Sequence, residues 1–312
     1  MRYVFIINPA AGSGYAILHE ENIIERCEAI GITPEIYTSA RVGDAERFCK
    51  ELVSKRGKES SLRIFACGGD GTVNEVINGV YGADNVEVGI IPAGTGNDFV
   101  RNFDAKYDFH NIEKQLKGIS IDCDLIRYKY LSDGELIQRY CINMFNIGFD
   151  SDVVYTTGIV KKSPFIKGSF AYLLSVLIVL FEMRGIKLRI ELDNGEVFDK
   201  HILLIAIANG CFCGGGVKGV PNADISDGLI DVSIINKISR ISFLRLFPKY
   251  AKGTHLELKE SEKIITYRKV KKLKLSCKSS KGRMSTDGEI SIIDNVDFEC
   301  VPSSIKLILP KI

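Results

Sequence analysis

The chain has 312 residues, of which 46% are hydrophobic and 26% charged, with a formal net charge of +2. This is typical of a globular protein of two domains, and so small a positive charge argues against nucleic acid as the main partner. Nine cysteines, an odd number without a C-x-x-C pair, indicate neither a disulfide framework nor a zinc site. The N-terminal segment MRYVFIINPA lacks the features of a signal peptide, so we expect a cytoplasmic protein.

The first part of the chain alternates short apolar segments with segments of helical periodicity. Strands are predicted at 3–7, 34–38, 62–67 and 87–91, and helices at 16–30, 43–56, 73–80 and 97–103. This alternation predicts a parallel sheet covered by helices, which we assign to an α/β domain of residues 1–122.

The pattern changes after Asp122 to longer strand-like segments separated by turn residues. They lie at 137–147, 186–192, 201–208, 229–235, 270–276 and 304–309, with helical stretches near 151–182 and 239–250. A mostly antiparallel β-sandwich domain of residues 123–302 is predicted. The last strand, about 303–312, is able to pair with either domain.

Three glycine-containing turns each follow a predicted strand in the first domain: residues 8–14, the stretch CGGDGTVNEVING at 67–79, and residues 92–99. The first is not a dinucleotide fingerprint, because Ile17 replaces the third glycine, and it has no Walker lysine. In an open parallel sheet such turns meet at the carboxyl edge, where ligands bind. Three turns together therefore predict a ligand site there.

The second turn places an acidic residue, Asp70, among three glycines. The glycines let main-chain N–H groups face an anion at the start of the next helix. Asp70 would repel a bare phosphate but would help to hold a hydrated Mg²⁺ attached to one. Thr72 and Glu75 are predicted to form a capping box for that helix.

The motifs resemble the diacylglycerol kinase catalytic family, which includes bacterial lipid kinases and the sphingosine kinases. The matching residues, between positions 8 and 289, are Asn8-Pro9 with Gly12, Gly68-Gly69-Asp70-Gly71-Thr72 with Asn74-Glu75 and Asn78-Gly79, Pro92 with Gly94-Thr95-Gly96-Asn97-Asp98-Phe99, Asn209-Gly210 with Gly214-Gly215-Gly216 and Pro221, Asp227-Gly228, and Asp287-Gly288-Glu289. The resemblance implies a fold like that of diacylglycerol kinases and NAD kinases.

The same resemblance implies an ATP-dependent kinase acting on a lipid hydroxyl, most simply diacylglycerol, which would give phosphatidic acid. It implies that Asp70 orients Mg²⁺ and the γ-phosphate, that Glu289 takes the acceptor proton, and that Asp287 holds the hydroxyl or a metal-bound water. The implied contacts to ATP are Asn8, Pro9, Ala10, Ala11, Gly12, Thr38, Gly68, Gly69, Asp70, Gly71, Thr72, Val73, Asn74, Glu75, Thr95, Asn97 and Asp98.

Two turns in the second half gain a functional interpretation only from the resemblance. Residues 285–289 are otherwise a plain hairpin turn, and residues 221–229 a simple loop. By resemblance the loop is a structural Mg²⁺ site, with carboxylates from Asp224 and Asp227 and the carbonyl oxygen of Leu229. Of the two acidic residues near the domain boundary, we favour Asp122 over Asp124 as the family's acidic position.

The chain departs from the family at the first turn, where many relatives have a lysine or arginine and this chain has Ser13. Lys161, Lys162 or Lys167 are candidates for the missing charge. Two other functions remain open: an NAD kinase, which shares the Gly-Gly-Asp-Gly-Thr turn, and a catalytically silent lipid- or nucleotide-binding regulator. The turn at 94–98 favours the lipid branch, and the intact carboxylates favour an enzyme.

Two segments suggest peripheral contact with a membrane. Residues 263–283 contain nine basic residues and no acidic one, which most simply form a solvated sheet face but would also attract anionic lipid. The apolar run at 170–181 has twelve residues, too short for a span of about 20, and is predicted to be a buried helix. Homodimer formation is left open.

Overall fold

The computed structural model describes residues 1–12, 19–56, 61–161, 168–278 and 281–312. The first part contains four strands, β1 (Arg2–Ile7), β2 (Glu35–Thr38), β3 (Leu62–Gly68) and β4 (Val86–Pro92). Its helices are α1 (His19–Glu28), α2 (Asp44–Arg56), α3 (Asp70–Val80), a 3₁₀ turn (Phe99–Asn102) and α4 (Ile112–Leu116). The predicted helix at 16–30 extends partly over residues outside the described ones.

The four strands pair in parallel in the order β2-β1-β3-β4, so their carboxyl ends meet at one edge. β3 and β4 are almost completely buried, which explains their continuous apolar sequences. Helix α3 buries Val73, Val76, Ile77 and Val80 at helical spacing in the core. The predicted parallel α/β architecture is therefore confirmed.

Within the described residues, the second part contains the remaining strands and three longer helices. The strands are β5 (Ile119–Ser132), β6 (Glu135–Cys141), β7 (Met144–Gly148), β8 (Ile186–Leu192), β9 (Val197–Ala208), β10 (Ile230–Asn236), β11 (Ile265–Val270), β12 (Lys272–Cys277), β13 (Gly282–Thr286), β14 (Glu289–Ile293) and β15 (Asn295–Leu309). The helices are α5 (Phe149–Val160), α6 (Gly168–Glu182) and α7 (Arg240–Lys252), followed by 3₁₀ turns His255–Glu257 and Lys259–Lys263.

Antiparallel pairing dominates this part, as predicted. β9 pairs with β7, β8 and β10, and β7 pairs in turn with β13 of the β13–β14 hairpin. β15 connects the two parts, because it pairs antiparallel with β12 and β5 and, at Lys306 and Leu307, parallel with β4. One hydrogen-bonded network of strands thus holds the β13–β14 hairpin in a fixed position relative to the parallel sheet.

Some predicted elements were wrong in extent. The segment 137–147 breaks at Ile142 and Asn143, whose carbonyl oxygens accept hydrogen bonds from Asn209. Before the break β6 pairs with β5, and after it β7 pairs with β9. The segment 270–276 spans the end of β11 and most of β12. The stretch predicted as helix at 97–103 is only a short 3₁₀ turn.

The apolar run at 170–181 lies in α6 and is not buried on every side. Val179 packs against the core, but Leu177, Ile178 and Phe181 are exposed by 55%, 38% and 79%. The prediction of a fully buried helix was therefore wrong for this face of α6. In the described part of the chain, no helix is long and apolar enough to cross a membrane.

Candidate active site

The second and third glycine turns touch each other through their backbones at the carboxyl edge. A Cβ added to Gly94 would collide with the Cα of Gly69, and one added to Gly69 would lie 3.2 Å from the Cα of Gly94. Asn97 closes the third turn, since its Oδ1 accepts from the N–H of Gly94 at 2.9 Å and its Nδ2 donates to the Gly94 carbonyl at 2.9 Å. Only glycine permits this approach.

The first turn is fastened to the second by Asn8. Its Nδ2 donates to Thr72 Oγ1 at 3.0 Å, while its Oδ1 accepts from the N–H of Ala10 at 3.0 Å. Thr38 ends β2 and pairs in register with Ile7, so it lies at the same edge. The predicted residues Asn8, Thr38 and Thr72 are thus brought together, and Asn8 and Thr72 organise the edge with their side chains.

Helix α3 begins at Asp70, with Gly69 as its N-cap. The Asp70 carboxylate accepts from the backbone N–H groups of Asp98 at 3.2 Å and Phe99 at 3.3 Å. Asp70 is therefore held against the third turn, with its charge beside the N-terminus of a helix, where anions are stabilised.

The predicted capping box is absent. The helix starts two residues before Thr72, whose hydroxyl accepts from Asn8, and Glu75 points to the neighbouring helix. The Glu75 carboxylate accepts from the N–H groups of Gly43 at 2.8 Å and Ala45 at 3.1 Å, at the start of α2. Glu75 therefore anchors α2 to α3.

Asp98 connects the third turn to a glycine-rich loop of the second part. Its Oδ2 accepts from the N–H of Gly215 at 2.9 Å, and Arg101 Nε lies 3.6 Å from its Oδ1. Burial raises the pKa of Asp98, and the nearby charge of Asp70 raises it further. Asp70 and Asp98 thus form a pair of carboxylates facing Gly96, where an added Cβ would lie 3.1 and 3.3 Å from their oxygens.

Asp287 occupies the turn of the β13–β14 hairpin, with a φ of 47° followed by 92° at Gly288. Two residues of positive φ are typical of a type I′ turn. Its carboxylate accepts from Asn74 Nδ2 at 3.3 Å, from the N–H of Met144 at 3.3 Å and from Cys141 Sγ at 3.4 Å. Burial, together with the charge of Asp70, raises the pKa of Asp287 to about 7.

Glu289 begins β14 and lies beside the start of α3. A Cβ added to Gly71 would be 3.6 Å from Glu289 Oε1. Burial of the carboxyl group raises its pKa, Arg139 lowers it, and the neighbouring carboxylates of Glu75 and Glu46 raise it. Both acidic residues of the hairpin therefore approach the first turns of α3.

A cavity of about 780 Å³ adjoins these turns. Its polar end is lined by Asp70, Thr95, Asp98, Asp287 and Gly288, and Glu289 does not line it. Its other end is apolar and is formed by side chains of α5, α6, α7 and the loop before β10, namely Phe149, Val153, Val154, Val176, Val217 and Phe247. The cavity thus joins a cluster of carboxylates to an apolar compartment.

Polar residues that sequence reasoning missed also line the cavity: Asn143, Asn146 and Asp150. Asn146 Oδ1 and Asp150 Oδ2 are buried and have no hydrogen-bond partner within the described residues. Burial raises the pKa of Asp150 to about 6. The only signal in the sequence was the interruption of the apolar run Met144–Phe149 by Asn146 and the placement of Asp150 directly after it.

Lys161 also lines the cavity, whereas Lys162, Lys167 and Ser13 lie outside the described residues. Val73, predicted to contact ATP, buries its side chain in the core. Only its backbone can therefore face a ligand.

The predicted metal loop is held by groups of the protein. Asp224 Oδ1 accepts from the N–H of Ser226 at 3.0 Å, Asp227 Oδ1 from that of Leu229 at 3.0 Å, and Asp227 Oδ2 contacts Lys269 Nζ at 2.6 Å. No group of three or more His, Cys, Asp or Glu residues within the described ranges is placed to hold a metal. A metal would have to displace Lys269, and this site stays a prediction.

Asp124 fastens that loop to the rest of the protein. It is buried, and its Oδ2 accepts from the N–H of Gly228 at 2.7 Å and its Oδ1 from that of Ser303 at 2.8 Å. Asp122 is exposed. Asp124, which we had ranked below Asp122, is therefore the residue of the two that makes buried contacts at the boundary between the two parts.

Glycine turns at the edge of a parallel sheet, with carboxylates facing a neighbouring cavity, suit phosphoryl transfer, which requires positioning and charge neutralisation. Fold and site together define a kinase. The chain belongs to the diacylglycerol kinase catalytic-domain family. Residues 2–128 match the model described as diacylglycerol kinase catalytic domain, and residues 144–309 match the YegS C-terminal NAD kinase beta sandwich-like domain.

Individual relatives agree over nearly the full length. A diacylglycerol kinase of Bacillus subtilis strain 168 is 28% identical over 309 residues, covering 98% of this chain and 95% of that protein. One of Staphylococcus saprophyticus is 30% identical over 287 residues, covering 91% and 87%. The crystal structure of a diacylglycerol kinase from Bacillus anthracis shares the fold, with a TM-score of 0.69, 21% identity, and coverage of 99% of this chain and 96% of that one.

Proposed function

We propose that the protein is an ATP-dependent lipid kinase that transfers the γ-phosphate of ATP to the hydroxyl of diacylglycerol, forming phosphatidic acid. The observation that carries this proposal is the cavity that joins Asp70, Asp98 and Asp287 to an apolar wall. A lipid alcohol has the matching chemistry, with a hydroxyl for the polar end and acyl chains for the apolar one.

In this proposal the nucleotide lies along the carboxyl edge, across the predicted contacts from Asn8 to Gly12, Thr38, Gly68 to Glu75, and Thr95 to Asp98. The N-terminus of α3, where anions are stabilised, would meet its phosphates. The side chains of Asn8, Asn74, Glu75 and Asn97 are engaged within the protein, so they act by holding the turns in place.

Asp70 and Asp98 fit a nucleotide-bound Mg²⁺, because carboxylate oxygens are its preferred ligands and Asp98 Oδ1 accepts no hydrogen bond within the described residues. The ion would replace the contact of this oxygen with Arg101 at 3.6 Å. The ion would neutralise charge on the transferring phosphoryl group. Lys161 lines the cavity and would supply a further positive charge.

We favour Asp287 over Glu289 as the group that takes the proton from the acceptor hydroxyl. Asp287 lines the cavity, and its pKa of about 7 suits a general base at neutral pH. As the proton moves to Asp287, the hydroxyl oxygen forms a bond to the γ-phosphorus and the bond to the bridging oxygen of ADP breaks. Glu289, beside Gly71, then acts near the nucleotide.

The proposal places the protein in the cytoplasm, in peripheral contact with the membrane that supplies its substrate. An NAD kinase is the enzymatic competitor. The crystal structure of yeast NADH kinase has a similar fold, with a TM-score of 0.50 and 13% identity, and the match covers 100% of this chain and 84% of that one. The apolar wall of the cavity favours a lipid over NAD as the acceptor.

The test is transfer of ³²P from [γ-³²P]ATP into diacylglycerol, monoacylglycerol, a sphingoid base, a polyprenol and NAD, each with Mg²⁺, with lipids in mixed micelles. We expect diacylglycerol to be labelled fastest and Asp70→Asn to abolish labelling while the protein stays folded. Labelling of NAD alone would overturn the lipid assignment. Binding of ATP without labelling of any acceptor would indicate the silent regulator.

A further inference from the structure

The helices that form the apolar end of the cavity also expose large apolar side chains to solvent. On α6 these are Leu177, Ile178 and Phe181, and on α7 they are Ile241 and Leu244, exposed by 65% and 58%. These five residues define the α6–α7 surface. Single exposed apolar side chains are ordinary, but a continuous group of them marks an interaction site.

Contacts between the two helices make this surface continuous. Arg240, the first residue of α7, donates from Nε to the Leu180 carbonyl at 3.1 Å and from Nη2 to that of Phe181. Its guanidinium lies 5.7 Å from the centre of the Phe181 ring. Ile241 follows directly, and Leu244 lies one turn further along α7. The end of α6 and the start of α7 therefore present one apolar face.

This face is bordered by positive charge that is not neutralised. Helix α7 contains four basic residues and no acidic one, with Arg245, Lys249 and Lys252 following Arg240. Among the described residues, none of these four forms an ion pair. Free positive charge next to apolar side chains is complementary to an anionic lipid surface.

The basic run at 263–283, the membrane candidate in the sequence, is different. Five of its nine basic residues are paired with acidic residues of neighbouring segments: Arg268 with Glu196, Lys269 with Asp227, Lys272 with Glu299, Lys278 with Asp199, and Arg283 with Asp152. Five of the nine are therefore neutralised within the protein, and Lys263, Lys271, Lys274 and Lys281 have no ion pair among the described residues. The structure supports the interpretation of this run as a solvated sheet face.

We propose that the α6–α7 surface docks on the anionic face of a lipid bilayer. Phe181, Ile241 and Leu244 insert among the acyl chains, and the basic residues of α7 contact lipid phosphates. The inference rests on the proposed function, because a lipid acceptor must leave the bilayer to enter the cavity. Val176 and Phe247 of the same two helices line that cavity, so docking would bring its apolar wall to the membrane.

A second copy of the chain fits this surface less well. In a two-fold symmetric dimer the same patch meets itself, so the unpaired basic residues of two α7 helices would be brought together, and α7 has no carboxylate to pair with them. An anionic bilayer has no such repulsion. We therefore commit to the membrane, and the dimer becomes an outcome of the test.

The experiment is flotation of the full chain with vesicles of phosphatidylcholine alone or mixed with phosphatidylglycerol. We expect binding that rises with phosphatidylglycerol and falls with salt. The double variant Ile241→Ser with Leu244→Ser should bind at least about tenfold more weakly. The matched control is Leu131→Ser with Leu136→Ser, a facing pair on the β5–β6 hairpin that is equally exposed at 65% each, and it should bind like the parent.

The charge contribution is tested by reversing two residues at a time. Arg245→Glu with Lys249→Glu should abolish the preference for phosphatidylglycerol, whereas Lys271→Glu with Lys274→Glu, in the basic run, should leave most of it. The opposite ranking would overturn the proposal. So would parent-like binding by the Ile241 and Leu244 variant, or loss in that variant of a dimer detected by sedimentation of the parent.

Failure of the docking surface and failure of the proposed function are distinguishable with a short-chain diacylglycerol dissolved as monomers. If docking is correct, the Ile241 and Leu244 variant phosphorylates this soluble acceptor at the parent's rate and loses activity only on vesicles. Equal loss on both acceptors would overturn docking as the role of this surface. Vesicle binding by a parent that phosphorylates no lipid would leave docking intact and refute the kinase proposal.

Discussion

Replacing Asp287 by asparagine tests the assignment of the general base. The change keeps the shape of the side chain but removes the charge that accepts the proton. Loss of a general base costs about 100- to 10,000-fold in turnover, and we expect kcat to fall within that range while KM for ATP changes little. Glu289→Gln, on the same hairpin, is the matched control and should be the milder lesion.

The raised pKa of Asp287 also predicts the shape of the pH profile. A base must be ionised to act, so the parent's kcat/KM should fall as the pH drops below about 7 and by about tenfold for each further pH unit. This limb should be absent from the residual activity of Asp287→Asn. Rates measured between pH 5 and 9 with a soluble short-chain acceptor avoid effects of the membrane.

Stability provides a second, independent readout of the same residue. Because the pKa of Asp287 rises from 3.8 to about 7 on folding, the folded state prefers the protonated carboxyl. The stabilisation that the protonated carboxyl gives to the folded state is fully present below pH 3.8 and is lost as the pH rises through about 7. The difference corresponds to about 4 kcal/mol at about 1.36 kcal/mol per pH unit, and we expect about half of it because the residue keeps some solvent contact.

The free energy of unfolding of Asp287→Asn, relative to that of the parent, should therefore rise by about 2 kcal/mol from pH 4 to pH 8. Urea unfolding at both pH values measures this change. A larger kinetic defect in Glu289→Gln than in Asp287→Asn would refute the assignment. An acid limb that is unchanged in Asp287→Asn would also refute it.

Three further outcomes follow from individual contacts. Asn74→Ala removes a donor to the Asp287 carboxylate, so the acid limb should move to higher pH and urea unfolding should show a loss of about 1 kcal/mol. Gly94→Ala forces a Cβ into the second turn, so we expect a loss of about 1–3 kcal/mol by urea unfolding and weaker ATP binding by calorimetry. Mg²⁺ without nucleotide should raise the Tm of the parent but not of Asp227→Asn. An equal shift in both would show that Mg²⁺ does not bind this loop, where Asp227 contacts Lys269.

The parallel sheet was predictable because its strands are buried on both faces. β3 and β4 are nearly continuous apolar sequences, and each is followed by a glycine turn that ends the strand visibly. β5 was missed because basic, acidic and apolar residues alternate along it, as expected for a strand that is only partly buried. The pairing of β15 with both β12 and β4 depends on contacts that no local pattern records.

The positions of the site were visible in the sequence, but several roles were not. Glu75 was predicted to cap its own helix, yet it binds the start of α2, around Gly43, 32 residues away. Asn74 reaches Asp287 across 213 residues of sequence. Such partners are determined by tertiary packing, of α2 against α3 within the first part and of the β13–β14 hairpin against α3 across the two parts. Asp150 carries no motif, and only its place in the cavity reveals it.

The central claim is that the acceptor lipid occupies the cavity next to the carboxylates. Its most direct test is the kcat/KM for a soluble diacylglycerol in Val176→Trp, which fills the cavity, compared with Leu177→Trp, its neighbour on the exposed face of α6. We predict a fall of at least about tenfold for the first variant, parent-like values for the second, and an unchanged KM for ATP in both. Parent-like kcat/KM in Val176→Trp, or no phosphorylation of any lipid by the parent, would contradict the claim.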